Sequence, residues 1–119
     1  MQNKGLIIKK EWLDKIFNNG KNWEMRSTRT NVRGIIKLIE SGSGEIVGEC
    51  MLGGCHEVTE DIAQHTLEHH QVEDLSLLKK WRWAWRICNV KKYQKPVPYK
   101  HPQGAVIWVN LSKDNKNAA

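Results

Sequence analysis

Lys21, Glu24 and Arg26 set an ammonium, a carboxylate and a guanidinium close together in the stretch 19–33, which reads Asn-Gly-Lys-Asn-Trp-Glu-Met-Arg-Ser-Thr-Arg-Thr-Asn-Val-Arg. Cations beside a carboxylate favour its ionised form and orient it. The trio could bind: Arg26 takes a phosphate while Glu24 accepts hydrogen bonds from the edge of a base. It could also react, because a lysine in a partly desolvated pocket beside other cations gives up its proton more readily. The same three residues would also serve as a plain ion-pair network at a strand end. Strand alternation over 22–26 sends Glu24 and Arg26 to one face and Trp23 and Met25 to the other. Ser27, Arg29 and Arg33 follow in a polar loop, so the stretch as a whole suits a polyanionic, hydrogen-bonding ligand such as a nucleotide.

Three further constellations carry chemistry. Trp81-Arg-Trp-Ala-Trp-Arg86, read as a strand, puts three tryptophans on one face and Arg82 and Arg86 on the other. Such rings either stack bases or fill the core, and the arginines are surface contacts for phosphate in both cases. His65-Thr-Leu-Glu-His69 has the letters of a zinc-hydrolase helix. In an acidic segment of so short a chain, a solvated helix face is the expectation, and no metal or cofactor is called for. The loop 95–104 holds all three prolines and would display Lys100, His101 and Gln103 on a stiff mount.

The elements that must position these groups follow from periodicity. A strand over 5–9 leads into a helix with Trp12, Leu13, Ile16 and Phe17 on one face, ending at Asn18-Asn19-Gly20. The strand bearing Glu24 and Arg26 comes next, then a buried strand over 34–40, a Ser-Gly-Ser-Gly turn, and an antiparallel return over 45–52. One or two short helices are expected within 60–80, a strand over 81–90 and a last strand over 105–111; the tail from 112 is polar and frays. Gly48, Gly53 and Gly54 supply the bends of a small mixed barrel, so the fold class is α+β.

A chain of 119 residues reads as one domain over 1–119, with its core over about 5–111. No apolar run approaches a membrane span, and the first ten residues lack a secretory signal, so a cytoplasmic protein with no membrane partner is expected. Three cysteines without a Cys-x-x-Cys pair exclude a disulfide framework and a zinc knuckle, and read as buried free thiols. Net charge is +6, and eight basic residues with no acid lie between Lys79 and Lys100. That one-signed stretch points to a polyanionic partner, RNA or DNA first. The acidic stretch 57–74 leaves a protein-interaction module open as well.

Lys21, Glu24 and Arg26 also match, residue by residue, the Gly-x-Lys-x-x-Glu-x-Arg motif of the ASCH domains, PUA-like RNA-associated β-barrels that the chain resembles over roughly 5–111. Ser27, the Arg33-Gly34 pair, the segment 85–93, Lys95-Pro-Val-Pro98 and Gln103-Gly104 are similar too. The glycine stands at Gly20 where the motif would place it at Asn19, a shifted helix cap. The resemblance implies a PUA-like barrel with an early helix and a helical insertion, and recognition of RNA or a modified nucleoside in a cleft beside it. Some members remove the acetyl group from N4-acetylcytidine with a lysine, a threonine and a glutamate, and others are ribonucleases. Here Glu24 stands where that threonine would be, and Glu68 and Glu73 are candidates for the later glutamate.

The sequence therefore leads to an RNA- or nucleotide-binding domain. Its cleft is lined by Lys21, Glu24, Arg26 and Ser27, and flanked by Arg29, Arg33 and the Lys100–Gln103 loop. The alternative is a small hydrolase, an amidohydrolase on N4-acylated cytidine or a ribonuclease. In it Lys21 is the base, Glu24 orients it or activates water, and Arg26 stabilises developing negative charge. On the binding reading, Lys21→Ala and Arg26→Ala are expected to weaken binding to a short RNA at modest salt while leaving the fold intact.

Overall fold

The computed structural model describes residues 3–111, so the polar tail 112–119 lies outside the described residues. Its elements run β1 (Lys4–Ile8), α1 (Lys10–Asn18), β2 (Trp23–Arg26), β3 (Gly34–Glu40), β4 (Glu45–Glu57), α2 (Glu60–Gln64) and α3 (Leu67–His70). A 3₁₀ turn (Leu75–Lys79), β5 (Trp83–Pro98) and β6 (Trp108–Asn110) complete them. The six strands form one sheet in the order β2-β5-β4-β3-β1-β6, with β1 and β3 parallel and the other pairs antiparallel. The sheet curls into a half-barrel.

Local sequence sets these elements. α1 buries Leu13 and Ile16 and half-buries Trp12 and Phe17 against the inner face of the sheet. Gly20 ends the turn with φ of 73°, a conformation that costs glycine little. The chain then doubles back so that the Lys21 N–H bonds the Lys15 carbonyl, 3.1 Å away. β4 shifts register three times against β5, and these bulges bend the two longest strands around the core. At Gly48 they bring the Lys91 carbonyl and the Phe17 ring to where a side chain would start: a Cβ there would lie 2.5 Å from that oxygen and 2.8 Å from the ring.

Several boundaries differ from the periodic reading, and β4 runs on from Leu52 to Glu57 through Gly53 and Gly54. β5 continues through Pro96 and Pro98, where a loop was expected. The Tyr99 N–H bonds the Gly44 carbonyl, so by alternation Pro96 and Pro98 turn their missing N–H toward the side of β5 that no strand covers, since β2 pairs only with Trp83–Arg86. Proline is tolerated on such an edge. β6 is only three residues long, in place of the strand expected over 105–111.

The tryptophan row also divides. Trp83 and Trp85 face the main core, whereas Trp81 precedes the strand and packs with the cluster of Met25, Val58, Ala63, Val72 and Leu78. That second cluster is the contact between the sheet and the insertion 58–80. Of the cysteines only Cys50 is buried, with its thiol pushed up to about 12 by burial; Cys55 is half-buried and Cys88 is exposed, because the outer face of β5 has no covering layer there.

Gly48→Ala should destabilise the fold by about 1–3 kcal/mol, because the clash involves backbone and a packed ring. A shift of the urea midpoint at unchanged slope would measure it, and an unshifted midpoint would mean that the β4 bulge relaxes freely.

Candidate functional site

The charged trio lies where the half-barrel is open. β2 presents Glu24 and Arg26 on the face opposite Met25, as alternation requires. Arg26 Nε and Nη2 both reach Glu24 Oε2, at 3.0 and 2.9 Å. Nη2 also donates to the Ile7 carbonyl on β1, at 2.8 Å, tying β2 to the far side of the sheet across the gap. Trp85 stacks on Trp108 across the same gap, with ring centroids 5.7 Å apart and planes at 12°. Arg26 lies over the Trp85 ring, 5.5 Å from its centroid.

Lys21 is 2% exposed, which for an ammonium demands acceptors. Its Nζ donates to the carbonyl of Trp23, at 2.7 Å, and to that of His70 on α3, and it sits 5.1 Å from the centroid of the Trp12 ring. Burial pushes Lys21 down to about 8, against the pull of Glu24. His70 is itself fully buried: Nε2 meets the Ala63 carbonyl and Nδ1 accepts the Val72 N–H, so the ring is neutral with its proton on Nε2. More bonds fasten the same joint. The Asn22 N–H reaches the His69 carbonyl, the Asn19 side-chain amide donates to Gln71 Oε1 at 2.8 Å, and Gln71 Nε2 donates to the Asn19 backbone carbonyl at 2.6 Å.

Beside this joint opens a cleft of about 240 Å³. Lys21, Glu24 and Arg26 lie on its charged side, and Trp12, Trp81 and Val106 line its apolar side. Trp12 and Trp81 meet edge to face, with centroids 6.0 Å apart. Glu24 Oε1 and Arg26 Nη1 have no hydrogen-bond partner among the described residues. An acceptor and a donor are therefore left beside each other in a hollow with aromatic walls.

The other predicted residues disperse. Ser27 and Arg29 are exposed, and Arg29 covers the Trp83 ring at 5.8 Å. Arg33 turns back to bond the carbonyls of Thr30 and Val32. Arg86 pairs with the His56 ring at 2.8 Å, and Arg82 lines a second hollow. Lys100, His101 and Gln103 stay in the exposed loop, where His101 bridges the Tyr99 hydroxyl and the Ala105 carbonyl; from that loop it is Val106 that reaches the cleft. Glu68 and Glu73 line a different hollow, beside Lys15 and Asn19. His65 caps the end of α2 while His69 lies in α3, because the helix breaks at His65-Thr66, and His70 is core where a solvated face was expected. Among the described residues no three His, Cys, Asp or Glu side chains are placed to hold a metal, and no helix is long and apolar enough to cross a membrane.

Sequence does not single out Trp12 or Val106 for the site, and it offers Trp81 only as one of three rings that stack bases or fill the core. Trp12 reads as one more core position on an amphipathic helix, and Trp81 as the first ring of a strand that in fact begins at Trp83.

A curled mixed sheet with one helix after β1 and a charged cleft at its seam defines a PUA-like α+β half-barrel. The profile of the ASCH domain family matches residues 6–97, and the chain belongs to that family. Its structure is similar to the crystal structure of an ASCH protein from Zymomonas mobilis, with TM-score 0.70 and 10% identity over 98% of this chain and 92% of that one. A tyrosine-to-phenylalanine variant of that protein superimposes with TM-score 0.71, at 10% identity over 99% of this chain and 96% of the other. No curated protein sequence matches the chain.

Lys21→Met should cost about 2–4 kcal/mol, since it leaves two buried carbonyls without a donor. The burial of Lys21 also sets a pH signature. With about 8 in the folded chain against 10.5 when exposed, the unfolded state holds the proton between these values and the folded state does not, so stability rises with pH there. The rise from pH 7 to pH 9 should be about 1 kcal/mol larger in the wild type than in Lys21→Met. Cys50 works in the opposite sense at the alkaline end, but equally in both proteins. Parallel stability curves would show that Lys21 is not titrating as its burial implies.

Proposed function

We propose that the chain is an RNA- or nucleotide-binding ASCH domain that takes one base into the cleft between the charged trio and the Trp12–Trp81 wall. The observation that carries this reading is the free Glu24 Oε1 beside the free Arg26 Nη1, in a hollow of about 240 Å³. Base edges set a donor next to an acceptor, which is the complement of that pair. Trp12 and Trp81 offer the apolar surface against which a ring can pack. The cavity is below the roughly 300–1,000 Å³ usual for drug-sized ligands, and suits a single heterocycle. Cytidine and N4-acetylcytidine are the first probes.

One observation favours a second reading, a small hydrolase acting on a modified nucleoside or RNA. When Lys21 loses its proton, its two remaining N–H bonds still serve the carbonyls of Trp23 and His70, and the lone pair replaces the third. A neutral Lys21 is thus compatible with the buried joint, and burial makes it accessible near pH 8. Arg26 would then stabilise developing negative charge.

Titration calorimetry with cytidine and with a short single-stranded RNA tests the first reading. Glu24→Gln puts a donor where an acceptor stood and should weaken both ligands by about 1.5–3 kcal/mol. Equal affinity in wild type and variant would sink the base-in-cleft reading. Turnover of N4-acetylcytidine or of RNA, unaffected by a chelator and rising through about pH 8, would favour the hydrolase; no product at high protein concentration would argue against it.

A further inference from the structure

The segment Lys79-Lys80-Trp81-Arg82 separates two hollows. Trp81 walls the cleft just described, whereas Lys79 and Arg82 line a second hollow of about 360 Å³ between α2 and the 3₁₀ turn. The floor of the second hollow is apolar (Val58, Ala63, Leu78) and its rim is polar, with Thr59, Ser76 and one carboxylate, Glu60. The ridge backbone is pinned: the Trp81 N–H bonds the Leu77 carbonyl at 3.0 Å, and the Arg82 carbonyl accepts the Val58 N–H at 2.7 Å.

Lys79, Lys80 and Arg82 are exposed, and among the described residues none is ion-paired. Lys10, Arg26 and Lys37, in contrast, are each matched to a carboxylate. The nearby Asp74 is engaged locally, accepting from the N–H and hydroxyl of Ser76. Three uncommitted cations on a rigid mount therefore flank the ring that walls the cleft.

Resting on the base-binding reading of that cleft, we propose that the ligand is a base within a single strand of RNA, not a free nucleoside. The Lys79–Arg82 ridge carries the phosphates next to the bound base, and the second hollow receives the neighbouring nucleotide. A free nucleoside would leave all three cations unused. A strand with one base against Trp81 must continue past them, and a row of cations interrupted by an aromatic ring is what single-strand binding surfaces combine. Glu60 and Gln64 supply polar partners for the second base, over an apolar floor on which its ring can lie.

The test measures cytidine, a short single-stranded RNA containing cytidine, and a poly-glutamate peptide of equal charge on wild type, Glu24→Gln and a triple variant (Lys79→Ala, Lys80→Ala, Arg82→Ala). Circular dichroism checks the fold of each. The wild type should bind RNA about tenfold or more tighter than cytidine. The triple variant should lose that advantage, while its cytidine affinity moves less than about twofold and its slope of log K against log salt flattens by about 2. RNA affinity and slope unchanged in the triple variant would overturn the proposal, as would poly-glutamate competing as well as RNA, which would assign the ridge to acidic peptides. If the ridge governs RNA binding but Glu24→Gln changes neither ligand, the cleft reading itself fails, and with it the base-anchored strand.

Discussion

The ammonium of Lys21 is the constraint around which this site is built. A charge that is 2% exposed is costly unless its donors are met, and here two of them are met by backbone carbonyls from separate parts of the chain. The Trp23 carbonyl starts β2, and the His70 carbonyl ends α3, so satisfying one lysine fixes the insertion against the strand that bears Glu24 and Arg26. The Asn19–Gln71 exchange and the Asn22 bond to His69 follow from that placement. Val72 and Trp81 also depend on it, since both reach the cleft from the insertion side.

Arg26 carries a comparable double load. Its bond to the Ile7 carbonyl spans the gap that the sheet leaves open, and its grip on a single oxygen of Glu24 leaves the other oxygen available. On the proposed base-binding reading, stability and recognition would be coupled in the same guanidinium. Removing Arg26 or Lys21 should alter the barrel as well as any ligand, because both side chains bond backbone carbonyls of other elements. Glu24→Gln is the cleaner probe, because it keeps the side-chain shape and leaves the Arg26–Ile7 bond in place.

The sequence made much of the framework legible, for identifiable reasons. β3 and the Ser41–Gly44 turn match to the residue, because a mostly apolar run, interrupted only by Lys37 and bounded by glycine turns, has few other solutions. α1 is visible from Trp12, Leu13, Ile16 and Phe17, and the Lys21-x-x-Glu24-x-Arg26 spacing identified the trio. What was hidden is long-range. Nothing near Lys21 indicates that its partner is a carbonyl 49 positions later. Pro96 and Pro98 conceal a strand that continues only because its other edge is open. His70 sits in an acidic, histidine-rich segment whose local pattern is that of an exposed helix, and only the cluster under the insertion makes it core.

Burial of Lys21 bears differently on binding and on catalysis. As a fixed ammonium it would add positive potential to a cleft already holding Arg26, which favours an anionic ligand, but only its third N–H is left to donate, since two of its protons are committed. As a neutral amine it would retain both carbonyl bonds and offer a lone pair, but would forgo the attraction of the Trp12 ring for a cation. The structure therefore holds two opposing influences on one group: burial drives the proton off, while Glu24 and Trp12 keep it on. A bound polyanion joins the second pair. Phosphates on the Lys79–Arg82 ridge would raise the proton affinity of Lys21, so the tighter a strand is held, the less available Lys21 becomes as a base at neutral pH. That opposition favours recognition over hydrolysis for a strand, and leaves hydrolysis most accessible to a small uncharged nucleoside.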